Sequence, residues 1–200
     1  LKNFIHKDNT IAYFNGSNDF FNKEILKLLN YEKDIKTKDL SENKNGLVVY
    51  EKPNFNIILD VVHPYNKPTN YGLHSSTLSF ELSIGKEKII SNCGALIKKK
   101  YKTHDYFRYS AAHSTIILDN TNISELIENK SYKRIPKKIY FEKIDERDRV
   151  ILKASHDGYV PNFKKIVKRT ISINKKNFFI SGKDEIISLN SKPQKNIFNI

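Results

Sequence analysis

The chain has 200 residues, no methionine, one cysteine and a formal net charge of +13. That length can bury a substantial core in one domain, or in one domain plus a piece, while the lone Cys93 excludes an internal disulfide and leaves the compartment open. No apolar run reaches membrane-spanning length, and the charge comes almost wholly from lysine, with five arginines and no helix-turn-helix, metal-knuckle or RNP-like pattern, so neither membrane insertion nor nucleic-acid binding is expected.

From the amino end, residues 1–34 read as helical in their second half. Ser17, Asn18 and Asp19 offer an N-cap, and Phe20, Phe21, Ile25, Leu28 and Leu29 recur at helical spacing. Leu1 opens on an apolar-aromatic segment with neither an initiator nor a signal peptide, which reads as the interior of a longer polypeptide. Residues 33–45 are charged and nearly free of apolar side chains, as in a linker. Beyond them the pattern predicts strands at 47–50, 55–62, 77–84, 87–91, 114–118, 138–144, 149–155, 165–173, 177–181 and 185–189. In 77–84, Leu78, Phe80, Leu82 and Ile84 alternate with Thr77, Ser79, Glu81 and Ser83, which predicts a strand buried on one face only. Regular short strands without a second long amphipathic helix argue for an all-β antiparallel sandwich preceded by a short helical remnant.

Polar residues gather at the ends of these strands, where sheet proteins build sites. His74 precedes one strand, Asn92, Cys93 and Gly94 end another, and Arg108 and His113 lead into a third. Cys93, after Ile89 and Ile90, reads as a buried thiol beside a turn rather than a nucleophile. The SHDGY run at His156, Asp157 and Gly158 reads first as a turn and second as a binding loop.

Four ordered segments, His74 with LSFELS at 78–83, NCG at 92–94, Arg108 with AAHST at 111–115, and ASHDGY with the basic strand that follows it at 154–169, resemble the heparinase II/III-like polysaccharide lyases. A weaker fifth, IAYFNGS at 11–17, resembles the end of that family's helical toroid. The resemblance implies that residues 1–45 are the end of the toroid plus linker and that 46–200 are the family's C-terminal β-sandwich domain, cut short at its end. It implies a lyase, as the full-length protein, that cleaves an acidic, uronic-acid-containing glycan by β-elimination in the periplasm or cell envelope. Part of the catalytic machinery would lie in the toroid, so this fragment alone is expected to be inactive. The alternative is a non-catalytic carbohydrate-binding or structural sandwich.

Elimination requires neutralising the uronate carboxylate, a base at the adjacent carbon, and an acid for the departing oxygen. By resemblance His74 faces the cleft as the catalytic candidate, against a structural histidine capping a sheet edge. Arg108, one of few arginines, is a candidate fork for a substrate carboxylate or sulfate, against an ion pair with Glu81. Asn92, His113 and Tyr71 complete the candidate substrate-binding set. In several family members the positions of His74 and His113, with an aspartate at the position of Asn92, hold a structural zinc. An amide in place of that carboxylate leaves the ligand set incomplete, so no cofactor and no zinc are expected unless a degenerate site persists.

Overall fold

The computed structural model describes residues 2–18, 22–31, 46–64, 73–96, 106–126, 132–177, 179–189 and 196–199. Two antiparallel sheets carry most of them. The first sheet holds β1 (Leu47–Lys52), β2 (Phe55–Asp60), β3 (Phe80–Ile84) and β4 (Glu87–Ile90) in that order. A two-stranded ribbon follows, β5 (Glu125–Leu126) with β6 (Tyr132–Arg134). The second sheet is built from β7 (Ile139–Asp145), β8 (Arg149–His156), β9 (Lys165–Asn174), β10 (Ile180–Ser188) and β11 (Asn196–Asn199), each beside the next. One α-helix, α1 (Asn22–Tyr31), lies before the sheets, and a single turn, α2 (Val160–Phe163), joins β8 to β9.

The core sits between the sheets. On β9 the alternation of period two turns Val167, Arg169, Ile171 and Ile173 inward, and their β8 partners His156, Ala154, Leu152 and Val150 share that face. The apolar ones among them pack against Val48, Tyr50, Phe55, Ile57, Leu59 and Leu82 of the first sheet in one cluster. Each such aliphatic side chain, withdrawn from water, contributes about 1.5–3 kcal/mol. This is the expected all-β antiparallel sandwich.

β3 departs from its predicted one-sided burial. Ser79, Glu81 and Ser83 are fully buried, because the segment 2–18 covers that face of the first sheet. Ala12 and Phe14 form a second small core there with Val49 and Ile58. Two of these side chains are satisfied rather than solvated, since His6 bonds Ser83 Oγ at 2.9 Å and Glu81 Oε2 at 2.7 Å, and the Tyr13 N–H donates to Glu81 Oε1 at 3.1 Å, whereas the Ser79 hydroxyl is buried without a hydrogen-bond partner. The strand is also shorter than predicted, since Leu78 takes a left-handed φ of 62° and leaves the ladder. Such a backbone costs a bulky residue roughly 1–2 kcal/mol.

Three other expectations change. Residues 114–118 form no ladder, because Ser114 and Thr115 spend their hydroxyls on the Phe80 and Thr77 carbonyls, anchoring a bent segment by side chains. The strands predicted at 177–181 and 185–189 are parts of the single strand β10. Cys93 is exposed, since β4 turns Ile89 outward, 56% exposed, and the chain leaves the sheet directly after it. The predicted linker 33–45 and the residues Phe20, Phe21 and Tyr71 lie outside the described residues, whereas the predicted helix is present as α1, with Leu28 exposed.

Candidate functional site

His74, Asn92 and His113 come from three separate segments and meet. His74 Nδ1 lies 3.2 Å from His113 Nε2, with ring centroids 5.1 Å apart. The Asn92 side-chain oxygen accepts the Ser114 N–H at 3.0 Å, and the Cys93 N–H donates to the Ala112 carbonyl at 3.0 Å, so the NCG turn is stitched to the histidine's own segment. Gly94 closes that turn at a φ of 73°, which L side chains rarely adopt. Glu81 reaches the cluster from β3, where its Oε1 accepts the Asn92 N–H at 2.9 Å.

The cluster is enclosed: His74 and His113 are each 7% exposed, Asn92 and Arg108 3%. Burial pulls His113 down to about 4, although the Glu81 charge and the Phe107 carbonyl act the other way. His113 is therefore neutral at neutral pH. The Asn92 Nδ2 is buried without a hydrogen-bond partner. Arg108 turns inward: its Nε donates to the Leu73 carbonyl at 3.2 Å, and its own carbonyl accepts the Ser75 N–H at 2.8 Å. Glu81, its alternative partner in the sequence reading, is paired with His6.

A pair of serines that sequence reasoning passed over holds these segments in place. Ser75 Oγ and Ser110 Oγ lie 2.9 Å apart, and Ser110 Oγ lies 2.9 Å from the Ser75 carbonyl as its donor. The same two oxygens accept the Ser124 N–H at 2.7 Å and the Ile123 N–H at 3.0 Å. Arg134 then binds the carbonyls of Asn122 and Ile123, each at 2.8 Å, and that of Gly158. The turn after β8 is thereby fixed to the loop that orders Ser110, and through it to the segments of His74 and His113. Behind them Asp60, buried, accepts from Ser76 Oγ at 2.6 Å and from the Val62 N–H at 2.9 Å; burial pushes its carboxyl up to about 6. The signal for Ser75 and Ser110 was weak, since serines at strand ends are usually solvated caps.

The donors present do not fit a zinc ion. Two imidazole nitrogens face each other, the Asn92 oxygen is already bonded to an amide, and among the described residues no group of three or more His, Cys, Asp or Glu could hold a metal. A structural zinc takes about four such ligands.

A two-sheet antiparallel sandwich whose inter-strand segments converge on a buried histidine pair is the class of domain that the fold and cluster define. The chain belongs to the heparinase II/III-like family: the model described as "Heparinase II/III-like, C-terminal" matches residues 37–200. Among solved structures it is similar to a heparinase III, at 14% identity and a TM-score of 0.67 over 96% of this chain and 31% of that one. It is also similar to the heparan sulfate lyase HepC from Pedobacter heparinus, at 14% identity and a TM-score of 0.65 over 94% of this chain and 31% of that one. At such identities the likeness is one of fold, and the chain spans about a third of the length of these structures. No curated protein sequence matches it.

Proposed function

We propose that this chain is the β-sandwich portion of a lyase that cleaves an acidic, uronic-acid-containing glycan by β-elimination, with His74 at the reacting centre. The observation that carries the reading is the convergence of His74, Asn92 and His113 from three segments on a scaffold whose solved relatives are named for heparan sulfate cleavage. In this reading His74 handles the proton, while Asn92 and His113 hold it in place and Arg108 fixes the backbone at Leu73. Long-range attraction of the anionic chain comes from lysines, including those at 98–102 and 133–138. The periplasm or cell envelope is the compartment where such a substrate is met. The second reading, a carbohydrate-binding sandwich without chemistry, is favoured by the near-complete burial of both histidines and by the inward turn of Arg108.

Incubating the intact protein with a panel of uronic-acid glycans, and following the ultraviolet absorbance of the unsaturated uronate, separates the two. The lyase reading predicts product from at least one glycan. Retention of a glycan without product from any of them would establish the binding module instead.

A further inference from the structure

A cavity of about 270 Å³, outside the histidine cluster, is lined by Tyr109, Thr121, Asn122, Glu125, Arg134 and Asn162, with Leu126 as its one aliphatic wall. We propose that this cavity is a subsite for a single uncharged sugar unit of the glycan; the assignment rests on the polysaccharide reading above. Its volume, just under the about 300–1,000 Å³ of ordinary small-ligand sites, suits one sugar ring rather than an oligosaccharide. The lining is a set of hydroxyl, amide and carboxylate groups, the groups that exchange hydrogen bonds with vicinal hydroxyls. Tyr109 brings an aromatic face, and Tyr106, 59% exposed with its ring 5.7 Å away, extends that face outward. Amphipathic rings of this kind cover the apolar face of a sugar while their hydroxyls stay polar.

Charge selects the uncharged unit over the uronate. The one cation in the wall, Arg134, already binds three backbone carbonyls, and its guanidinium stands 3.9 Å from Glu125. Glu125 therefore engages the cations in reach of the wall, Arg134 and the 72% exposed side chain of Lys133 at 3.2 Å, so that neither is left to receive a uronate or a sulfate. Because Tyr109 directly follows Arg108, on the segment that carries His113, one glycan chain running along that segment would meet the cavity and the cluster in succession.

The test uses a matched pair that differs only at one carbon, methyl glucoside and methyl glucuronide, observed by saturation-transfer NMR on the intact protein. The glucoside should bind, and Asn162→Ala, an exposed position whose loss leaves the core untouched, should weaken it about fivefold, the worth of one hydrogen bond. The glucuronide should not compete on the parent and should begin to compete in Glu125→Gln. An unchanged glucoside signal in Asn162→Ala, or equal binding of the glucuronide to the parent, would overturn the subsite. A tetrasaccharide that alternates uncharged and uronate units should be weakened by Asn162→Ala and by His74→Ala alike. If the glucoside results hold but His74→Ala leaves the tetrasaccharide untouched, the subsite stands and the histidine-centred reading falls; the reverse pattern removes only the subsite.

Discussion

Single residues in this domain are held by bonds whose loss can be counted. Ser75→Ala removes the acceptor for the buried Ser124 N–H together with the bond to Ser110, so denaturant unfolding should show a loss of about 1–3 kcal/mol. The same change should lower any glycan-cleaving rate, because Ser75 adjoins His74. Asn92→Asp supplies the missing carboxylate beside two imidazoles, and elemental analysis should find zinc retained in that variant and not in the parent. One tightly held zinc per parent chain would show that the donor set had been misjudged. Titration acts in two directions. Burial lowers His156 to about 3 and His113 to about 4, so between pH 6.5 and those values the unfolded chain binds protons that the folded one refuses, and stability falls with acidification. Asp60, raised to about 6, works oppositely: the folded state takes its proton first, and stability rises as pH drops from 6 toward 3.8. The histidines outnumber it, so thermal melting should fall steadily from pH 7 to pH 4, with each histidine contributing roughly 3 kcal/mol. Asp60→Asn should steepen that fall.

At the scale of elements, three strands of the second sheet were legible because their apolar residues alternate and charged turns separate them, and β7, β8 and β9 lie within a residue of their predicted bounds, whereas β10 read as two strands and β11 was not predicted. What the pattern hid was the covering of a polar face. Ser79, Glu81 and Ser83 looked solvent-facing because period-two alternation reports polarity and cannot report a partner such as His6, more than seventy positions away. The stretch 114–118 failed for a related reason, since threonine, serine and isoleucine suit a strand, yet here each long-range bond has a side chain at one end instead of joining two backbones in a ladder. The juxtaposition of His74, Asn92 and His113 was legible only through the order of the family's motifs, whereas Ser75 and Ser110 carried a weak signal and Asp60 none that was read. The turn after β8 was legible, but its tightness was not. A Cβ at Gly158 would stand 2.7 Å from Ile123 Cγ2 and 2.9 Å from the Ile123 carbonyl, the group Arg134 binds. Gly158→Ala should therefore destabilise by about 1–3 kcal/mol through overpacking and displace the loop that orders Ser110. A melting temperature equal to the parent's would mean that the loop has slack.

Across the whole molecule, one arginine ties the two sheets to the candidate site. Arg169 of β9 binds both Asp184 oxygens, at 2.8 and 2.7 Å, and donates to the Leu78 and Ser114 carbonyls of the opposite layer. Breaking the pair with Asp184→Leu leaves a buried charge and should cost about 3–5 kcal/mol, while Arg169→Met with Asp184→Leu should recover part of it. Both should loosen Ser114, which positions Asn92. The account as a whole stands on His74 being the group at which an acidic glycan is eliminated, and on lysine charge serving only to gather substrate. The most direct measurement is the rate of unsaturated-uronate formation by the intact protein and by His74→Ala, each at low and at high ionic strength. The account predicts that His74→Ala removes most of the rate at both salts, whereas neutralising the lysines of 133–138 lowers it chiefly at low salt, where charges are unscreened. A His74→Ala protein that forms product at the parent's rate would contradict it.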